Sequence, residues 1–367
     1  MQFTISILEH SQILLSQKFK ISYLLTTLSI FKIMNSLQKC LYLLSSSLII
    51  LSFNGCKEKT PPVLDSLIIN NITDTSTIFS VNINNDGNEE IIERGLCYNT
   101  NPSPTISDNK KIVIGTIGSM NITISNLNSS TTYYAKAYAT NSKGTSYSNE
   151  VTFTTHVSTK YLMAYYPFNG NTMDESGKAN HAEIFGPVLT TDRDSNINSA
   201  YLFDGIDDYI EVYANQYINP KNEISLIAWI NPTINGNDFD HIFTVVYNGN
   251  YVPYSAYNVC KLKDKMTFWL TTDESPKEDF VESVSTIIAN NWYHVACTYD
   301  GNSMKLYING ILEASRPKTG EIQYKNASLK FGHAVKNQFL TGKLDEMRIY
   351  SKALTEKEIK QLYQKNK

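Results

Sequence analysis

The side chains that could do covalent chemistry in this chain are carboxylates, and they are badly arranged for it. Retaining glycoside hydrolysis needs two carboxyls about 5–5.5 Å apart. A strand meets this with an E-x-D-x-x-E arrangement, which the chain lacks. Asp345 and Glu346 are adjacent, so strand geometry predicts that they point to opposite faces. Glu278, Asp279 and Glu282 fall in KEDFVES, which reads as a charged loop. No G-x-S-x-G marks a serine nucleophile, and no H-E-x-x-H marks a zinc site. The histidines are scattered, and His294 in WYHV reads as a satisfied strand residue. An enzyme is not expected.

Recognition is the chemistry that remains. Sugar rings stack on Trp and Tyr, which offer a flat apolar body with a polar edge. Trp269 in TFWLTT is one candidate. Tyr247, Tyr251, Tyr254 and Tyr257 cluster in YNGNYVPYSAY, which reads as a variable, Tyr-rich loop of the kind that carries function. Asp204, Asp207 and Asp208 in FDGIDDY look superficially like a calcium loop but lack EF-hand spacing. Their place between two strand-like runs predicts a tight hairpin.

These groups must be held somewhere, and the N-terminal sequence says where. Met34 to Cys56 has a basic start at Lys39, an apolar run from Leu41 to Phe53, and Gly55 before Cys56. That is the pattern of a secretory signal, too short for a comfortable span of about 20 residues. Its closing cysteine makes it resemble a bacterial lipoprotein signal, although Phe53 and Asn54 match a lipobox poorly. The resemblance implies a lipid on Cys56 and a membrane-anchored chain, since several acyl chains anchor stably. Lys57 follows, with no Asp to hold the protein at an inner membrane, so an outer-membrane, surface-facing envelope location is expected. Residues 1–33 carry a second apolar stretch and read as an over-extended start. The 34–55 segment is the signal and 56–62 a linker.

The chain has 367 residues, a net charge of −3 and 18% charged residues. No basic footprint for nucleic acid is present. Beyond the signal, Cys97, Cys260 and Cys297 are an odd, widely spaced set that implies no disulfide framework.

Residues 63–156 contain short β-rich runs separated by Asn, Asp and Gly turns, the spacing of a β-sandwich. The segment NLNSSTTYYAKAYATNSKGTSYSNEVTFTT resembles the second half of a fibronectin type III domain. The resemblance implies a spacer or contact module. No RGD is present, because Arg94-Gly95 is followed by Leu96.

Residues 160–367 read as β throughout, closed by a short helix that Thr355 and Glu358 open with a capping box. Five segments occur in order: YPFNGNTMDESGKANHAE, YLFDGIDDYIEV, ISLIAWINP, WYHVACTYDGNSMKLYINGIL and GKLDEMRIYSKALTEKEI. Together they resemble a LamG-like, concanavalin A-like jelly roll. The resemblance implies two antiparallel sheets of six or seven strands. It also implies one structural calcium, with Asp174 and Asp345 as ligands and Asn169, Asn180 and the His181 carbonyl as further oxygens. The same residues also suit turns without metal.

The fold expected is therefore all-β, a fibronectin III-like sandwich followed by a jelly-roll sandwich. The function expected is a non-catalytic envelope protein that binds carbohydrate or another surface ligand. The alternatives are an adhesive protein-contact module and, less favoured, a glycoside hydrolase on the same sandwich.

Overall fold

The computed structural model describes residues 15–38, 57–213, 218–233, 239–247, 254–274, 279–335 and 337–365. Residues 15–38 form a helix, α1, whose side chains are exposed along its length. No helix among the described residues is long and apolar enough to cross a membrane. Cys56, the apolar run before it and Tyr251 lie outside the described residues.

Two cores follow. The first belongs to strands β1 (Val63–Leu64), β2 (Ile68–Ile72), β3 (Thr77–Asn85), β4 (Glu93–Asn99), β5 (Asn109–Ile112), β6 (Gly118–Ile124), β7 (Thr132–Asn141), β8 (Gly144–Tyr147) and β9 (Val151–Thr154). Strands β1 and β2 both pair with β3, whose other edge takes β6, making one sheet. The second sheet runs β5-β4-β7-β8, with β9 also pairing β7. Alternation decides the packing: Phe79, Val81 and Ile83 of β3 and Tyr133, Ala135 and Ala137 of β7 enter the shared core, as a period of two requires. The Tyr133 hydroxyl accepts a hydrogen bond from the Asn128 amide at 3.1 Å, tying the strand to the turn before it.

The larger core lies between two sheets of the second domain. Its strands are β10 (Leu162–Tyr166), β11 (Glu183–Phe185), β12 (Val188–Thr190), β13 (Ala200–Asp204), β14 (Tyr209–Val212), β15 (Ile224–Pro232), β16 (Phe239–Val246) and β17 (Ser255–Leu262). They continue as β18 (Lys265–Leu270), β19 (Asp279–Glu282), β20 (Tyr293–Tyr299), β21 (Ser303–Ile308), β22 (Ile311–Pro317), β23 (Leu329–Phe331) and β24 (Thr341–Tyr350). One sheet has the order β12-β13-β24-β15-β20-β21-β22, with β10 also on β24. The other has the order β11-β14-β23-β16-β17-β18-β19. The first sheet exceeds the expected six or seven strands because β24 is long enough to share one edge. Its first half pairs β13 and its second half pairs β10.

The all-β expectation holds, with helix α2 (Glu356–Lys365) at the end. Its capping box is formed: the Glu358 carboxylate accepts from the Thr355 amide at 2.8 Å, and the Glu358 amide donates back to the Thr355 hydroxyl at 3.3 Å. Ile359 and Leu362 of α2 pack on Ile227, Ala296 and Tyr350, the outer face of the eight-stranded sheet, together with Val157 of the interdomain segment. Gln361 donates to the Thr155 carbonyl at 2.6 Å, so α2 also touches the end of the first domain.

Candidate functional site

The outer face of the seven-stranded sheet presents a continuous row of side chains. Register places Glu211 opposite Lys330, Lys330 opposite Thr244, Thr244 opposite Asn258, Asn258 opposite Trp269 and Trp269 opposite Phe280. Their strand neighbours Ile210, Phe331, Val245, Val259 and Phe268 all enter the core, so the row must face outward. Six strands at the usual spacing span roughly 24 Å.

Aromatic rings mark both ends of this face. Trp269 stacks on Phe280, with centroids 4.3 Å apart and planes at 26°, and its indole N–H donates to the Thr267 hydroxyl at 3.1 Å. At the other end Phe185 stacks on Tyr209 at 4.6 Å and His333 stacks on Phe339 at 4.2 Å. Between them the face is polar. His241 is buried, with its two ring nitrogens each 3.0 Å from an amide oxygen, one of Asn258 and one of Gln338. A cavity of about 290 Å³ opens here, lined by Glu211, Thr244, Tyr247, Lys325, Ser328 and Lys330 among others.

The tyrosines expected to bind ligand separate under this geometry. Tyr247 lines the cavity, with its hydroxyl donating to the Gln323 carbonyl and the Lys325 ammonium 4.6 Å above its ring. Its amide donates to the Tyr254 carbonyl at 2.7 Å, closing the base of the loop between β16 and β17. Tyr254 is exposed there. Tyr257 is no ligand residue: it is fully buried in the core, where its hydroxyl has no hydrogen-bond partner among the described residues. The reason is that its segment is not a loop but strand β17, which turns Tyr257 inward. KEDFVES is likewise not simply a charged loop, since Asp279–Glu282 forms the edge strand β19.

The residues expected to hold calcium do not fit it. Both Asp174 carboxylate oxygens are filled by the protein: one accepts from the Tyr165 and Ser176 amides, the other from the Ser176 hydroxyl and the Asn180 amide, all at 2.9 Å. Asn180 donates its side chain to the Met163 carbonyl and its own carbonyl accepts from Tyr166. The His181 ring nitrogen accepts from the Asp174 amide at 3.1 Å, and Asn169 is exposed with its carbonyl taken by Asn171. Asp345 is ion-paired to Arg193. Calcium takes six to eight oxygens, and this set offers turn-capping groups and a guanidinium instead. The Asp204, Asp207 and Asp208 carboxylates lie within 4.8 Å of one another. They form no hairpin, because β13 and β14 belong to different sheets.

Asp345 and Glu346 also depart from expectation. The register between β15 and β24 slips by one residue between Ile227 and Trp229, and Glu346 adopts a left-handed φ of 54°. This bulge inserts an extra residue, so Leu344 and Met347 both point into the core and Asp345 and Glu346 both point out. Here they meet a buried polar cluster. Arg193 pairs with Asp345 and lies 4.7 Å over Trp229, while Glu346 accepts from the Tyr165 hydroxyl and pairs with Arg348. Trp229 and His294 sit beneath Tyr363 of α2. Trp229 is thus buried under the helix rather than between the sheets. Burial, with help from Glu346 and against Arg193, pushes the Asp345 carboxyl up to about 7. Burial, with Arg348 and Arg193 beside it, pulls His294 down to about 3.

Comparison with known proteins agrees with this architecture. Residues 204–360 match the family model of the concanavalin A-like lectin/glucanases superfamily, laminin G type. The C-terminal domain is therefore a LamG-like, concanavalin A-like domain. Among curated proteins, mouse pappalysin-1 is 32% identical over 97 residues, covering 25% of this chain and 6% of that protein. Among solved structures, the binding domain of Paraclostridial Mosquitocidal Protein 1 aligns with a TM-score of 0.48 at 21% identity, covering 57% of this chain and 53% of its own. Domain 4 of AbnA, a GH43 extracellular arabinanase from Geobacillus stearothermophilus solved with arabinotriose, aligns with a TM-score of 0.45 at 20% identity, covering 55% and 98%. The botulinum neurotoxin serotype D ligand binding domain, solved with N-acetylneuraminic acid, also gives 0.45 at 20% identity, covering 56% and 51%.

Proposed function

We propose that this chain is an envelope lipoprotein whose C-terminal domain binds carbohydrate on the outer face of the seven-stranded sheet, without catalysis. The observation that carries the reading is the row from Glu211 to Phe280, polar along its middle and stacked aromatic at its far end. Aromatic platforms take the apolar faces of sugars. The amide, hydroxyl and charged groups between them fix orientation, as in ligand sites generally.

The carboxylates argue against hydrolysis. Asp345 and Glu346 share a face, but that face lies on the other sheet and is engaged by Arg193, Arg348 and Tyr165. On the binding face Glu183 stands opposite Glu211. Glu183 is exposed and bonded to Tyr213, and Glu211 faces Lys330. Each of the two carboxylates is thus engaged by a neighbouring side chain.

The first domain serves as a spacer of the fibronectin III kind, a reading supported by its two-sheet sandwich and by the Tyr133 hydroxyl tied to the Asn128 amide. A lipid on Cys56 holds the chain at the outer membrane.

The test is a glycan array probed with the purified chain from residue 57 onward, repeated with Trp269→Ala. Saturable binding should fall about tenfold or more on losing the platform, with melting temperature little changed. Silence across the array would defeat the sugar reading and leave protein adhesion as the function. Release of soluble sugars from any bound polysaccharide would defeat the non-catalytic one.

A further inference from the structure

The cavity at the Glu211 end of the row is unevenly charged. Two ammonium groups and one carboxylate line it: Lys325, Lys330 and Glu211. Lys330 stands 3.9 Å from Glu211, the outer limit of an ion pair, and 4.7 Å over the Tyr209 ring. Lys325 stands 4.6 Å over the Tyr247 ring and has no carboxylate within ion-pair distance among the described residues. The other carboxylate nearby, Glu183, lies on β11, on the far side of Glu211 from both β23 and Lys330. Asn326 and Ser328 also line the cavity, and their side chains are bonded to nothing among the described residues.

An ammonium held over an aromatic face is steadied by the ring quadrupole and has given up part of its water. It gains more from an anion than a free surface lysine does, because hydrogen bonds to charged groups are the strong ones. Two such ammonium groups beside a free amide and hydroxyl make a receptor for an oxyanion carried on a hydroxylated ring.

We propose that the sugar unit seated in this cavity is anionic, with its carboxylate or sulfate ester held between Lys325 and Lys330 and the rest of the glycan running along the row toward Trp269. This rests on the sugar-binding reading above. It adds the chemical class of ligand and the polarity with which the chain is laid across the sheet.

The test uses matched pairs in calorimetry at low and physiological salt. Oligogalacturonate is compared with its methyl ester, and a sulfated galactan oligosaccharide with its unsulfated parent. At least one acidic member should bind about tenfold or more tightly than its neutral partner, with the difference shrinking as salt screens it. The two pairs distinguish uronate from sulfate. Lys325→Met should remove about tenfold of the acidic affinity and so shrink the gap between each acidic ligand and its neutral partner, with melting temperature unchanged, as expected for an exposed side chain. Equal binding within both pairs would overturn the inference and leave the sugar reading intact. So would Lys325→Met without effect on the acidic ligands. Failure of every glycan, neutral or acidic, would overturn both.

Discussion

Asp345 and Glu346, neighbours on one strand, project from the same side of the sheet. The bulge at Glu346 turns what would be one inward and one outward carboxylate into an outward pair. The result is a largely buried polar cluster, touched by Tyr363 of α2, in which one Asp345 oxygen, the Trp229 indole N–H, one Arg348 nitrogen and both His294 nitrogens make no hydrogen bond among the described residues.

The pH dependence of stability follows from this cluster, with two opposite signs. Asp345 has a folded-state value raised to about 7, so folding favours its protonated form. Its contribution is full below the unfolded value near 4 and is lost as pH rises through 7. His294 has a folded-state value lowered to about 3, so folding favours its neutral form. Its contribution is full above about 6.5 and is lost as pH falls toward 3. Each full swing is roughly 4–5 kcal/mol, since each value moves by a little over three units and one unit is about 1.4 kcal/mol. Urea denaturation from pH 4 to 8 should show the advantage of the native chain over Asp345→Asn shrinking as pH rises. Its advantage over His294→Phe should grow over the same range. Difference curves that are flat, or that slope the other way, would refute the assignment.

Tyr257 gives a core prediction with an unusual sign. Its hydroxyl is fully buried without a hydrogen-bond partner among the described residues, and such a group costs about 1–3 kcal/mol. Tyr257→Phe should therefore be neutral or stabilising by about 1 kcal/mol, whereas Tyr257→Ala should lose about 3–5 kcal/mol through a cavity. Glycan affinity of the Phe variant should match the native chain. A weakened affinity would return Tyr257 to the binding face.

The misplacement of Tyr257 shows where sequence stops being readable. Strand β7 declares itself by alternation and β15 by a near-continuous apolar run, and the LamG-like motifs were enough to anticipate the sandwich. Inside the second sheet, however, β16 and β17 carry two register slips, at His241/Phe243 and at Val245/Val246. Each slip reverses which residues face the core, and no residue type announces it. Trp269 sits on a strand paired without a slip, and its neighbour Phe268 enters the core while Trp269 faces outward. The same blindness hid the bulge at Glu346. The polar row itself was unreadable for another reason, because its members come from six strands and meet only through pairing.

Anchoring gives a third prediction. Cys56→Ser should move the protein from the membrane to the soluble envelope fraction and abolish incorporation of labelled palmitate, since one thioether and its acyl chains are the proposed hold. Persistence in the membrane fraction would point to attachment through another segment.

Strand β24 has a consequence for how the chain must be made. It pairs with β10, β13 and β15 at once, yet it follows all three by most of the domain. The eight-stranded sheet has no centre until Thr341–Tyr350 is available, and pairings this distant in sequence form slowly. A chain passing through a membrane N-terminus first would thus hold this sheet in separate pieces, β12-β13 on one side and β15-β20-β21-β22 on the other, until the strand that joins them arrives.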